Sequence, residues 1–112
     1  MTKHEIEYIE NILKAMENSQ DFTADYTFND FKEDEKTQYA VEWALKMIGE
    51  MSRIITEETK SKYPDIPWNE LENLGDILTN YHKTDLHLIW NTVQKDIPPL
   101  IPEFRRILSN IQ

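Results

Sequence analysis

The sequence predicts an all-α fold, an up-and-down helical bundle of three long and two shorter helices. Three observations predict it. Apolar residues recur at three- and four-residue steps along most of the chain, which is the period of a helix with one buried face. No segment alternates apolar and polar for long enough to be a strand. Only two glycines occur in 112 residues, few for a β protein with tight turns, while Glu, Lys, Leu and Ile, all compatible with helix, are abundant.

The first helix starts at Thr2. Thr2-x-x-Glu5 has the form of a capping box, in which hydroxyl and carboxylate satisfy free backbone N–H groups. Ile6, Ile9, Leu13 and Met16 share one face, Ile12 widens the stripe, and the helix is expected to end near Asn18. Residues 19–34 are the least regular. Phe22, Tyr26, Phe28 and Phe31 are spaced among Asp, Thr and Asn, which reads as a loop with a helical turn at 27–32 and aromatics plugging the bundle end. A base-stacking platform would bring Arg or Lys with the rings, and none cluster there.

Asp34 caps the second and longest helix, expected to run to about Lys62. Ala40, Val41, Ala44, Leu45, Ile48, Met51, Ile54 and Ile55 form its apolar stripe. Gly49 lies mid-helix at a cost of roughly 1 kcal/mol against Ala, so a packing reason is expected. Glu50 and Arg53 stand one turn apart beside the stripe, as a solvated pair or as the lining of a groove. Tyr63-Pro64-Asp65-Ile66-Pro67 breaks the chain, because Pro64 biases Tyr63 away from helix and Pro67 suits a first helical turn. Trp68, Leu71, Leu74, Leu78 and Tyr81 then predict a third long helix reaching Tyr81. Asp85 caps a short fourth helix with Leu86, Ile89, Trp90 and Val93 inward. After Ile97-Pro98-Pro99, a last helix buries Leu100 or Ile101, Phe104, Ile107, Leu108 and Ile111. Pro102 is tolerable in its first turn.

The composition narrows function. The length suits one domain, residues 1–112. Without cysteine there is no disulfide and no thiolate metal site. No apolar run approaches the ~20 residues of a membrane span, and the charged start MTKHEIEYIE is unlike a signal peptide. The expectation is a cytoplasmic protein. Net charge −9 argues against broad, nonspecific nucleic-acid binding, though not against a local basic site.

Chemistry concentrates at Asn80-Tyr81-His82-Lys83-Thr84-Asp85, where an amide, a phenol, an imidazole and a carboxylate crowd together between two helical arms. A metal site from His82, Asp85 and His87 is a weak reading, since the three straddle a helix start and a fourth ligand is not evident. Read as packing, Tyr81 continues its helix's apolar stripe with the hydroxyl at the rim.

Several ordered blocks carry a resemblance to a known family. They are Asp34-Glu35-Lys36-Thr37-Gln38-Tyr39-Ala40-Val41, Ile48-Gly49-Glu50, Lys62-Tyr63-Pro64-Asp65-Ile66-Pro67-Trp68, Asp85-Leu86-x-x-Ile89-Trp90-Asn91-Thr92-Val93 and Asp96-Ile97-Pro98-Pro99-Leu100. Together they resemble the HepT-like branch of the HEPN superfamily, the toxin half of HEPN/MNT toxin–antitoxin modules. The resemblance implies an all-α homodimer. It also implies a metal-independent endoribonuclease activity on RNA that needs no cofactor, and a minimal nucleotidyltransferase antitoxin that can adenylylate a tyrosine.

The family site is an Arg, four to six residues, a His, one residue and a Tyr. A His titrating near neutrality moves protons at the ribose 2′-hydroxyl or the leaving oxygen. An Arg fork holds the phosphate. This chain departs from that pattern. Counting from Trp68, the Arg falls on Gly75 and the His on Asn80. Counting back from Asp85, they fall on Leu74 and Thr79, with the Tyr on Tyr81. The only arginines are Arg53, Arg105 and Arg106. The resemblance therefore leaves two readings. In one, cleavage is weak or lost, and a dimeric protein binds a nucleotidyltransferase. In the other, a rearranged ribonuclease site uses His82 and Asn80, with Arg53 in place of the missing Arg. Tyr81 is the expected adenylylation position and Glu50 a groove-lining residue.

Overall fold

The computed structural model describes residues 1–78 and 85–111, with Ile77 and Leu78 described by backbone alone. Seven α-helices appear among them: α1 (Lys3–Phe22), α2 (Phe28–Lys32), α3 (Glu35–Ile54), α4 (Glu57–Lys62), α5 (Trp68–Glu72), α6 (Leu86–Asn91) and α7 (Leu100–Ile111). A 3₁₀ turn, Leu74–Leu78, follows α5, and a π-helical segment, Thr92–Asp96, continues α6. No strand occurs among the described residues. The all-α bundle predicted from the apolar period is the fold observed.

α1 and α3 pack together as the central pair. α7 lies against α1, and α5 with its 3₁₀ turn lies against α3. The rings of Trp68 and Phe104, edge to face with centroids 5.7 Å apart, join α5 to α7 and close the bundle. Ile9, Ile12 and Met16 of α1 and Val41, Leu45 and Ile48 of α3 are fully enclosed. Phe31 plugs the bundle end against Trp90, at 5.5 Å between centroids. Phe22, by contrast, is 40% exposed.

The capping signals hold. Thr2 Oγ1 accepts from the Glu5 N–H (3.1 Å) and Glu5 Oε2 accepts from the Thr2 N–H (3.4 Å). Asp34 and Asp85 accept from the N–H groups of Thr37 and Leu88, both at 3.1 Å. Gly49 has the expected packing reason. A Cβ there would stand 3.2 Å from the Leu71 carbonyl oxygen and 3.4 Å from the Gly75 nitrogen. Its absence lets α5 and the 3₁₀ turn seat directly on the α3 backbone.

Four boundaries differ from expectation. α1 continues to Phe22, because the buried Ser19 donates within the helix to the Met16 carbonyl (2.7 Å) and Thr23 to Ser19 (3.0 Å). The second helix does not reach Lys62. Ile55 is extended and Thr56 caps a new helix, its Oγ1 accepting from the Thr59 N–H (3.2 Å). Ile54, placed in the apolar stripe, is 52% exposed, whereas Ile55 turns in and is buried. The third helix stops at Glu72 instead of reaching Tyr81. Asn73 ends it and the chain tightens into the 3₁₀ turn, consistent with the poor helix formers Asn73 and Gly75. The fourth element gains a π segment, whose Val93 carbonyl accepts from Gln20 Nε2 (2.8 Å). The predicted third long helix is thus a 5-residue α5, and the longest helix after α1 and α3, each of 20 residues, is the last one, α7, of 12.

Candidate functional site

The sequence points to the region between Trp68 and Trp90, and the described part of it is the end of α5, the 3₁₀ turn and the start of α6. Asn80, Tyr81 and His82 lie outside the described residues, as do Thr79, Lys83 and Thr84. The site's approaches are what the geometry defines.

Arg53 stands in the last turn of α3. Its side chain crosses to the end of α5, where Nε donates to the Glu72 carbonyl (2.9 Å) and Nη2 lies 4.0 Å from Asp76 Oδ1. A carbonyl in the last turn of a helix lacks an intrahelical partner, and Arg53 supplies one. The guanidinium therefore sits beside positions 72 and 76, flanking Gly75, while its side chain stays 57% exposed. Glu72 is gripped from the other side as well. Its carboxylate pairs with the buried Lys60 of α4, which also lies 3.8 Å from Glu57. Two cations near the site thus close on acidic groups and on one helix end. Arg105 and Arg106, on α7, pair with Glu17 and Glu103.

Among the described residues Gly75 is open: a Cβ on it would meet nothing within 4 Å. Next to it, Leu71, Leu74, Thr92, Lys95, Ile97 and Leu100 line a cleft of about 280 Å³ between α5 and the π segment. Its walls are mainly apolar, and Lys95 is exposed.

On the far arm, Asp85 is engaged as the α6 cap. His87 stacks on Phe28 of α2, with centroids 3.7 Å apart and planes at 15°. The two residues proposed with His82 as metal ligands therefore serve a helix cap and an aromatic stack. No cluster of three or more metal-ligating side chains occurs among the described residues.

Glu50 is exposed on α3, one turn from Arg53. It belongs to a surface stripe that includes Tyr39 and Trp43, each 61% exposed, and Ile54. Lys46 Nζ lies 6.0 Å from the Trp43 ring centroid. Tyr39 donates to Glu35 (2.8 Å), and that bond together with the charge of Glu35 pushes the phenol pKa up. The sequence reading missed this stripe because attention to the buried period passes over rings on the opposite face. It also missed Glu72 and Lys60, whose pairing joins helices and leaves no local spacing signal.

Two carboxylates hold the frame. Glu5 is buried and accepts from the Thr56 N–H (2.9 Å) and the Thr59 hydroxyl (3.1 Å) in addition to Thr2. Burial pushes its carboxyl up, but these donors outweigh it and the net direction is down. Asp34 accepts from the Thr37 hydroxyl (2.6 Å) and the Tyr26 hydroxyl (2.5 Å), and these bonds bring its pKa down to about 2.

Comparison with known proteins adds a family. The sequence model described as "Ribonuclease HepT-like" matches residues 12–107. The chain is similar to a "Probable ribonuclease HepT" of Thermococcus cleftensis, 39% identical over 96% of this chain and 98% of that protein. It is also similar to a "Putative RNase MJ0127" of Methanocaldococcus jannaschii, 35% identical over 94% of this chain and 88% of the relative. A "Putative RNase TTE0752" of Caldanaerobacter subterraneus is 29% identical over 91% and 92%. No solved structure gives a significant match.

Proposed function

The chain belongs to the HepT-like ribonuclease family, and on that premise we propose that it is a HepT-like toxin component with an altered ribonuclease site. It engages RNA with weak or no cleavage and is held in check by a minimal nucleotidyltransferase. The observation that carries the reading is at Gly75. Counting from Trp68, the position that resembles the family's Arg holds a glycine with no described residue within 4 Å of where a Cβ would stand, and the arginine beside it, Arg53, is engaged with Glu72 and Asp76. A phosphate clamp needs a guanidinium whose N–H groups face the ligand. Here one N–H is spent on a helix end and the fork faces a carboxylate.

The second reading, a rearranged nuclease, draws support from the same contact. Arg53 reaches the segment where the family Arg would stand, although it starts from α3. His82 would then move the proton, Asn80 would assist, and a phosphate would replace Asp76 as the partner of Nη2. Tyr81 is the proposed adenylylation site, where added AMP would bring bulk and negative charge to the RNA path. The protein acts as a homodimer in either reading.

The test is single-stranded RNA incubated with purified protein in EDTA. Weak or absent cleavage is the expected result. Efficient cleavage that His82→Ala abolishes would establish the rearranged nuclease instead. Incubation with the nucleotidyltransferase and ATP, read by mass spectrometry, is expected to add AMP at Tyr81; modification at another tyrosine only would remove Tyr81 from the site.

A further inference from the structure

The cleft between α5 and the π segment holds a combination that the bundle does not need. Leu71, Leu74, Ile97 and Leu100 give it apolar walls, and Glu70, Lys95 and Asp96, all exposed, stand among them. It adjoins the candidate site. The two counts place the family's arginine on Gly75 or on Leu74, and Leu74 is part of the wall. The opposite wall is fixed. Ile97 donates to the Thr92 carbonyl (3.0 Å), closing the wide turn of the π segment, a geometry that recurs at functional sites. Gln20 of α1 holds the Val93 carbonyl, and Gln94 Nε2 donates to the Thr23 hydroxyl (3.0 Å) at the end of α1. Lys95 is therefore carried by a segment tied down at three points, and a binding group on a rigid element loses little freedom when it is used.

Three features select the occupant. The first is size. About 280 Å³ is at the small end of ligand sites, room for one flat ring system and not for a helix of a protein partner. The second is charge. Arg53, Lys60, Arg105 and Arg106 all pair with acidic side chains, whereas Lys95 has no ion pair or hydrogen bond among the described residues. Its ammonium is left for an anion from outside. The third is the polarity of the rim. A carboxylate only accepts hydrogen bonds, so Glu70 and Asp96 call for a ligand edge that donates. A nucleotide of single-stranded RNA meets all three, with apolar ring faces, a polar edge and a phosphate. Among the bases, guanine presents two adjacent donors, N1–H and the N2 amine, to one carboxylate. Cytosine and adenine present an amine beside an acceptor nitrogen, and uracil one N–H between two carbonyls that a carboxylate repels.

We propose that this cleft is a guanine-selective subsite for single-stranded RNA. The base lies between the leucines of α5 and its 3₁₀ turn on one side and Ile97 and Leu100 on the other, its N–H edge donates to Glu70 or Asp96, and Lys95 holds the phosphate of the same nucleotide. The proposal rests on the RNA-engaging reading above and gives it a base and a path, from the polar corner across Leu74 into the cleft.

The test reads binding and not cleavage, by fluorescence anisotropy in EDTA with 2′-fluoro RNA, which has no 2′-hydroxyl to cut through. The probes are a short oligo(U) and the same strand with a single central G, A or C. The G strand is expected to bind on the order of tenfold tighter than oligo(U). Glu70→Gln with Asp96→Asn should erase that preference, even as the loss of two negative charges tightens binding overall. Lys95→Glu should weaken every strand on the order of tenfold and lower the slope of log affinity against log salt by about one. Lys14→Glu, the same change of charge at an exposed position of α1, should do neither. Circular dichroism reports the fold of each variant. Equal affinity for the four strands would overturn the proposal, as would a G preference that survives the double variant or a Lys95→Glu that behaves like Lys14→Glu. No binding of any strand by the native protein would overturn the RNA-engaging reading and this proposal together, so the two failures differ. A Lys95→Glu that keeps RNA binding but loses the nucleotidyltransferase would assign the cleft to that partner and overturn the proposal equally.

Discussion

Two carboxylates tie other helices to α4, and they do so with opposite chemistry. Glu5 is surrounded by neutral donors: the N–H groups of Thr2 and Thr56 and the Thr59 hydroxyl, at 2.9–3.4 Å. It serves the N-termini of α1 and α4, where partial positive charge favours an anion. Glu72 is surrounded by cations. Lys60 pairs with its carboxylate and Arg53 donates to its carbonyl. The first junction stabilises the scaffold without using charged partners. The second consumes positive charge beside the candidate site. In a site meant to hold phosphate, that consumption is costly, because each guanidinium or ammonium tied to a carboxylate is one fewer facing the ligand. The first junction holds the frame, and the second sets the electrostatics of the candidate site's approaches.

The most forceful way to break this comparison is to restore the missing charge. No described residue would stand within 4 Å of a Cβ at Gly75, so Gly75→Arg with Asn80→His is expected to fold as the native chain does. It should raise RNA cleavage in EDTA by on the order of 10²-fold or more, the usual contribution of a positioned acid–base group. An unchanged rate with an unchanged melting temperature would mean that the approaches, and not the two residues, block the chemistry.

Next in size is Glu72→Ala. Lys60 is 7% exposed, and removing Glu72 leaves its ammonium with only the longer contact to the exposed Glu57, at a cost of about 3 kcal/mol. Glu72→Ala combined with Lys60→Met should recover much of that loss. Thermal or urea unfolding checks both. Glu5→Gln should cost less, about 1–2 kcal/mol, because an amide keeps one acceptor oxygen for Thr56 or Thr59 but forfeits the charge-assisted part of the bonds. If Glu5→Gln proved costlier than Glu72→Ala, the roles assigned to the two junctions would be reversed.

Much of this architecture is legible in the chain because it is local. The Thr2–Glu5 box, the Asp34 and Asp85 caps and the Trp68 and Phe104 core positions all follow from short spacings. The break at Thr56 was legible too, since Thr-Glu-Glu is a cap followed by an acidic first turn, but the apolar run through Ile54 and Ile55 masks it. The proposed match of Gly75 to the family's arginine position rests on counting from the Trp68 block, and counting back from Asp85 gives Leu74 instead. Arg53's engagement, the Lys60–Glu72 pair and the second role of Glu5 were not legible. They join residues 12, 19 and 51 or 54 positions apart, and no periodicity encodes a side chain that leaves its own helix.

The smallest effect tests the comparison with a third kind of carboxylate. Glu42 is half-buried on α3, and burial alone pushes its pKa up. No hydrogen bond or ion pair supports it among the described residues. Folding therefore disfavours its ionised form. The penalty is absent below the unfolded pKa, about 4.3, and is complete once pH exceeds the raised folded value. Glu42→Gln should raise Tm slightly at pH 7, and the gain should vanish as pH falls through the folded pKa. Asp34 behaves in the opposite sense. Its folded value of about 2 lies below the unfolded value of about 3.9, so its contribution is fully present above pH 4 and is lost as pH falls toward 2. Asp34→Asn should lower Tm at pH 7, and the loss should shrink steadily as pH falls toward 2. Calorimetry of both variants between pH 2 and 7 should give curves of opposite sign relative to the native chain. Curves of the same sign would mean that donors, present at Asp34 and missing at Glu42, do not decide which carboxylates hold this fold.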